Sequence, residues 1–258
     1  MCLIIVAYKI HPQYPLVLAA NRDEMYKRPS RTAHFWPKHP NILAGQDIEH
    51  GGSWLGLDKY GRIAALTNYR GGSKEKTGIA SRGLLVSNFL QNQSSSINYI
   101  AQCQAKISDF DGFNLLIGDL DALYFLSSRE QHYSPLQAGI YGISNGDLDS
   151  PWPKVEWAKQ QLSTLLQSGQ AEDHEAILAL LADKHLPVDE SLPDTGIDME
   201  WERILAPVFI RAKDYGTRAS TVITIDNKDK VTFSERTYDG HGEQEKHSRY
   251  EFTIVKEE

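Results

Sequence analysis

Cysteine is nearly absent, occurring only at positions 2 and 103 in 258 residues. Two thiols cannot make a disulfide framework, so the fold must rest on an apolar core, and a reducing, cytoplasmic setting is expected. Long hydrophobic runs are missing as well. No stretch approaches the roughly 18 apolar residues of a membrane-spanning helix, and the short apolar run near the N-terminus has no basic residues ahead of it, unlike a signal peptide. Positive charge is in deficit: 27 Lys and Arg stand against 34 Asp and Glu, a net charge of -7. That argues against a general nucleic-acid or anionic-membrane surface. The signatures of bound groups are also lacking. Nine histidines are scattered without the i, i+4 pairing of a helical zinc site, and His34 and His39 fall in a loop-like stretch. There is no Cys-x-x-Cys-His, and no glycine-rich phosphate loop follows a strand; Gly71-Gly72 reads as a hinge. Neither a metal nor a cofactor is expected.

What is present is a chain whose length suits one large domain, since single cores grow to about 250–300 residues. No internal repeat or composition break divides it, and a single domain over residues 1–258 is expected. Residues 2–10 and 16–20 read as a hairpin that turns through His11-Pro12-Gln13-Tyr14-Pro15. Residues 26–51, with Pro29, Pro37, Pro40, Gly45, Gly51 and Gly52, read as a loop in which Phe35 and Trp36 fold over something apolar. A second hairpin is expected at 53–57 and 62–68, and a flexible loop at Ser73-Lys74-Glu75-Lys76. Helices are expected at 81–91 with Ser81 as N-cap, at 96–107 with Cys103 in the core, at 151–166 and at 172–181. Strands are expected at 113–118, 123–127, 139–144, 221–225, 230–237 and 250–255, and an exposed acidic loop at 186–200. Segregated strands and helices predict an α+β fold: a four-layer αββα sandwich of two mainly antiparallel sheets.

The chemistry concentrates at the start. Cys2 follows the initiator Met, and a small residue there favours removal of Met1. Cys2 would then carry both a thiol and an α-amine, the amine having a reference pKa of about 7.7–8.0 and able to act as base for its own thiol. The bland alternative is a small residue opening a core strand. Antiparallel pairing brings Cys2 beside Asn21-Arg22-Asp23-Glu24 at the far end of the second strand. A thiol that hydrolyses an amide needs a neighbouring cation, a partner for the amine and oxyanion donors. Arg22, Asp23, Asn68, Asn145 and Arg218, all at strand ends or turns, are the candidates. Taken singly, each is better explained as a turn residue, a surface charge or a local ion pair.

These residues sit in a recurring set of motifs: Met1-Cys2; Ala20-Asn21-Arg22-Asp23-Glu24 with Arg28-Pro29; Gly52-Ser53-Trp54-Leu55-Gly56; Ala65-Leu66-Thr67-Asn68-Tyr69; Gly112-Phe113-Asn114-Leu115; Tyr141-Gly142-Ile143-Ser144-Asn145; Pro151-Trp152; Tyr215-Gly216-Thr217-Arg218; and Phe233-Ser234-Glu235-Arg236. In this order, and nearly end to end, they resemble the NRDE family, also called the transport and Golgi organisation protein 2 family. A weaker resemblance is to cysteine N-terminal nucleophile hydrolases of the choloylglycine hydrolase and penicillin V acylase type. Those open with Met-Cys, carry an oxyanion Asn after a hairpin as Asn68 does, have a further Asn ahead of a Pro- and aromatic-containing segment as Asn145 does, and carry a late Arg resembling Arg218. Their Arg and Asp are three apart, whereas Arg22 and Asp23 are adjacent and so point to opposite faces of a strand.

The resemblance implies an N-terminal nucleophile hydrolase-like fold. It also implies a hydrolase of a linear or cyclic amide in which Cys2 is nucleophile, Arg22 tunes the thiol, Asn68 and Asn145 complete the oxyanion site and Arg218 holds substrate. The other activity it implies is non-catalytic, cytoplasmic binding or trafficking of haem, acyl-CoA or a related lipid-like anion. Asn21, Glu24, Arg28, Phe35, Trp36, Trp54 and Tyr69 are the ligand-binding candidates. The expected partner is a small amide or an amphipathic anion.

Overall fold

Leu3-Ile4-Ile5-Val6-Ala7 is apolar at every position because both faces of its strand are buried. The computed structural model describes residues 2–70 and 78–256. Met1, Gly71-Gly72 and Ser73-Lys74-Glu75-Lys76 lie outside the described residues. In chain order the strands are β1 (Cys2–Tyr8), β2 (Leu16–Met25), β3 (Ser30–Trp36), β4 (His39–Asp47), β5 (Leu55–Asp58) and β6 (Ile63–Asn68). Helices α1 (Gly83–Gln91) and α2 (Ser96–Ala105) follow, then β7 (Phe113–Gly118), β8 (Leu123–Ser127), β9 (His132–Pro135) and β10 (Gly139–Ile143). The chain continues through α3 (Pro153–Gln167), α4 (His174–Leu181) and α5 (Met199–Leu205) to β11 (Tyr215–Ile225), β12 (Lys230–Tyr238) and β13 (Gln244–Thr253). The fold is α+β with two antiparallel sheets, as expected. None of the described helices is long and apolar enough to cross a membrane.

The chain divides into two compact units, Met1–Lys27 with Ala138–Glu251, and Arg28–Gln137 with Phe252–Glu258. The first holds the sheet β10-β1-β2-β11-β12-β13. Register assigns its two faces. Ile4 opposes Ala20 and Ile143, and Ala20 opposes Thr221, so these residues share one face. Leu3, Ile5 and Ala7 line the other with Val17, Ala19 and Val222, and there they pack against Val155, Ala158 and Leu162 of α3 and Ile177, Leu178 and Leu181 of α4. Pro153 opens α3, where no amide donor is needed. Asp173 caps α4, its carboxylate accepting from the Ala176 N–H at 3.0 Å.

The first residue of α4, His174, is buried between two hydroxyls: Nδ1 lies 2.8 Å from Ser234 Oγ and Nε2 3.0 Å from Thr224 Oγ1. Burial, with Arg249 adding to it, pushes the ring down to about 4 from 6.5. The native ring stays neutral while the unfolded chain takes up a proton first. The stability it contributes is therefore complete above the unfolded value and is lost as pH falls towards the folded one, on the order of 3 kcal/mol. Urea midpoints measured from pH 7 to pH 4.5 should fall more steeply for the wild type than for His174→Gln.

The second unit holds the sheet β3-β4-β5-β6-β7-β8-β9, with α1 and α2 packed on it through Phe89, Val86, Ile100 and Cys103. The expected loop at 26–51 is instead mostly the hairpin β3–β4. Its prolines hide the pattern. Pro29 precedes β3, Pro37 sits in the turn, and Pro40 lies outside the Ile42↔Asp58 pairing with β5, so none removes a needed ladder bond. Gly45 lies under the Trp54 ring, where an added Cβ would stand 2.3 Å from ring atoms. Ser81 does not cap α1, which starts at Gly83 with Arg82 in the cap position and no side-chain cap. Gly52 sets that start: a Cβ there would meet the Gly83 backbone at 2.4 Å. Further differences are longer or added elements: β9 is added, and β13 spans Gln244–Thr253 rather than the expected 250–255. β2 runs on to Met25, β11 starts at Tyr215, and α5 takes up the end of the acidic segment beginning at 186.

Candidate functional site

Cys2 opens β1 and is partly exposed. It is directly opposite Arg22 on β2, and Arg22 is opposite Ala219 on β11. Opposed residues share a face, so Cys2 and Arg22 lie together on the side turned away from α3 and α4. Asn21-Arg22-Asp23-Glu24 does not end the strand as expected. It is ordered inside β2, because β11 pairs with it through Met25. On the other neighbour of β1, pairing reaches Ile4↔Ile143, and two residues further along the chain from Ile143 comes Asn145. Asn145 is fully buried, and the Ser144 hydroxyl donates to the Cys2 carbonyl at 3.1 Å. These contacts gather Cys2, Arg22 and the Ser144-Asn145 turn at one end of the sheet. Gly146 keeps that turn tight, since a Cβ there would stand 2.7 Å from Ser150 Oγ and 2.9 Å from the Trp152 ring.

Arg22 is 5% exposed and lies 3.8 Å from the Glu24 carboxylate. Burial pushes the Cys2 thiol above its ordinary value; the Asp23 carboxylate adds to this and the Arg22 guanidinium opposes it. A thiol held protonated in this way needs a base before it can attack a carbonyl.

Asp23, next along β2, turns to the helix-covered side, as the alternation of a strand requires. Its Oδ1 accepts from the Thr217 hydroxyl at 2.7 Å. Burial raises its pKa against the pull of Lys154, Thr217 and Arg22. Lys154, at the start of α3, is 5% exposed and donates from Nζ to the Leu205 carbonyl at 2.8 Å. Asn21 points the same way and is structural: its amide donates to the carbonyls of Leu181 at 2.8 Å and Val208 at 2.9 Å and accepts from Ser220 Oγ at 2.6 Å. It ties together both ends of the excursion at 182–207.

Arg218 is the extra residue of a β-bulge between Thr217 and Ala219. Its guanidinium donates to the Tyr26 carbonyl at 2.7 Å and reaches the carbonyls of Met25 and Tyr238 at 3.4 Å, so it clamps the end of β2. That is about 10 Å along the strand from the level of Cys2, at roughly 3.3 Å per residue.

The remaining candidates belong to the second unit. Asn68 ends β6 opposite Phe113 and is half-buried. Tyr69 follows it, with the Arg129 guanidinium 5.7 Å from its ring centroid. Arg28 is engaged by Asp47, at 2.7 Å from NH2 and 2.8 Å from Nε. Trp36 is buried in the core and donates to the Ala44 carbonyl at 3.1 Å. Phe35 packs edge-on against Phe252 with Lys59 over its ring, and the half-buried Trp54 covers Gly45. The aromatic loop expected to receive a ligand is thus a strand whose side chains are engaged in its own unit. Among the described residues no group of three or more His, Cys, Asp and Glu could hold a metal ion.

Sequence reasoning passed over Lys154, Thr217 and the environment of Glu235. Lys154 carried a signal, for it heads the stripe Ala158, Leu162 and Leu166 at four-residue spacing, all buried. A lysine on the apolar stripe of a helix is a buried charge in need of a partner. Glu235 carried another, since it continues the inward alternation Val231, Phe233 on β12.

A family model described as Transport and Golgi organisation 2 matches residues 1–240. The Transport and Golgi organization protein 2 homolog of Bos taurus is 35% identical over 257 residues, covering 92% of this chain and 93% of the relative. The homolog from Mus musculus is 33% identical over 275 residues, covering 98% and 99%. The Drosophila melanogaster protein of that name is 26% identical over 274 residues, covering 94% and 95%. Among solved structures, a mutant conjugated bile acid hydrolase from Clostridium perfringens superposes with a TM-score of 0.54 at 10% identity, covering 98% of this chain and 92% of that one. The Caenorhabditis elegans ortholog of N-acylethanolamine-hydrolyzing acid amidase gives 0.51 at 12% identity, covering 86% and 92%. At such identities these likenesses establish the fold, which is of the N-terminal nucleophile hydrolase type expected from the sequence.

Proposed function

Since this chain belongs to the Transport and Golgi organisation 2 family and shares its fold with an amidase and a bile acid hydrolase, we propose that it is an N-terminal-cysteine hydrolase of carbon–nitrogen amide bonds. One observation carries the reading: a cysteine that opens a buried strand, directly opposite a buried arginine and beside the bend that carries buried Asn145.

Removal of Met1 frees the α-amine of Cys2. The amine takes the thiol proton, and the thiolate attacks the amide carbonyl carbon. Arg22 favours the thiolate, and the Asn145 side chain is the candidate donor to the oxyanion, a contribution of roughly 2.7–4 kcal/mol per donor. Collapse of the tetrahedral intermediate breaks the C–N bond, and the ammonium returns its proton to the departing amine. Water, activated by the same amine, then hydrolyses the thioester and regenerates the thiol.

The test compares the trimmed chain with one carrying an extra residue ahead of Cys2, each offered N-acyl amines, N-acyl amino acids and lactams. Turnover by the trimmed chain alone is expected. Failure of the trimmed chain on all three classes, together with saturable binding of haemin or acyl-CoA, would overturn hydrolysis in favour of non-catalytic binding.

A further inference from the structure

The face of the first sheet that carries Cys2 and Arg22 is largely apolar and buried: Ile4, Val6, Leu18, Ile223 and Phe233 on it are each 2% exposed or less. Among the residues whose register places them there, the fully buried charges are Arg22 and Glu235, the latter 2% exposed. Glu235 is opposite Thr221, and Thr221 is opposite Ala20. Its carboxylate reaches β11, accepting from the Thr221 hydroxyl at 3.2 Å. Arg22 opposes Ala219, which makes Thr221 its diagonal neighbour, a spacing of about 7–8 Å that long side chains bridge. Ala20 and Ala219, flanking that path, present only methyl groups. A carboxylate so buried must either meet a cation or give up its charge.

We propose that Glu235 is the interior counter-charge of Arg22 and a positioning residue for Cys2, fixing the guanidinium beside the thiol and limiting the positive field it exerts there. This rests on reading Cys2 as the reactive group of the site. The other charges acting near Cys2 are the N-terminal amine, Glu24, which meets Arg22 from the same strand, and, on the opposite face of the sheet, Asp23 with Lys154 of α3 near it.

The experiment follows alkylation of Cys2 by iodoacetamide against pH in a Cys103→Ser background, which needs no turnover. Glu235→Gln keeps the shape and removes the charge, so the guanidinium acts unopposed. The alkylation midpoint should fall by about one pH unit, and Arg22→Gln should raise it. In the Arg22→Gln background, adding Glu235→Gln should no longer lower the midpoint, and the double variant should melt above Arg22→Gln alone, because the stranded carboxylate is gone. An unchanged profile in Glu235→Gln, or the same shift with and without Arg22, would overturn the pairing. Should Glu235→Gln fail to fold, melting decides: recovery in the double variant supports the pair, and no recovery refutes it. An absence of amide turnover alongside these shifts would reject hydrolysis and leave the pair standing.

Discussion

Replacing Cys2 by alanine is expected to lower amide hydrolysis by about 10⁴-fold or more, the scale seen when a covalent nucleophile is removed. No other described thiol can substitute. Cys103 is buried in α2, and burial pushes its thiol up to about 11, so it remains protonated and inert. Cys103→Ala should therefore keep full activity. The fold should tolerate Cys2→Ala, because the residue opens its strand and is partly exposed. A loss of rate with an unchanged melting temperature separates chemistry from stability. The pH profile adds a signature. With the α-amine as base, kcat/KM should rise through about pH 7.7–8.0, the free-amine range, displaced by whatever the neighbouring charges add. Retention of most activity in Cys2→Ala would place the nucleophile elsewhere.

Lys154→Met should carry the largest stability loss, about 3 kcal/mol, the scale for breaking a buried charge contact from one side. For a chain of this size that lowers Tm by roughly 6–12 °C. Methionine fills a similar volume, so the loss reports charge and hydrogen bonding: the Leu205 carbonyl loses its Lys154 donor, and Asp23 loses one of the cations that favour its ionised form. The pH dependence has a definite sign. Asp23 already has a folded pKa raised by burial, and losing Lys154 raises it further. A carboxylate raised in this way keeps its stability contribution below the unfolded pKa and loses it as pH rises through the folded one. The deficit of Lys154→Met relative to wild type should thus be largest near neutral pH and shrink in acid, as thermal melts across pH would show.

Much of this molecule was legible in its sequence. The run Leu3-Ile4-Ile5-Val6-Ala7, the proline turn after it and the return strand fix the hairpin that sets Cys2 against Arg22. The stripe Val155, Ala158, Leu162 and Leu165 announces α3, and the helix expected at 172–181 is α4. What escaped notice had a physical cause in each instance. The β3–β4 hairpin carries its prolines where no ladder bond is required, so turn chemistry masked a strand pair. The lengths of β2 and β11 depend on each other, and neither 21–24 nor 215–220 has the apolar pattern that marks a strand before it is paired. Asp23 went to the helix side by strand alternation, and its partners Thr217 and Lys154 come from segments more than 120 residues away, which local patterns do not connect. Arg218 proved to grip the carbonyls of Tyr26, Met25 and Tyr238 through a bulge, a device visible only in the register.

The most direct measurement is intact-mass analysis of protein made in cells, before and after brief exposure to a turned-over or slowly hydrolysed amide. The expected result is a chain lighter by one methionine that gains the acyl group, with the adduct on the N-terminal Cys2 peptide and absent from Cys2→Ala. A chain that keeps its methionine throughout, or an acyl group that settles on any other residue, would contradict the role given to Cys2.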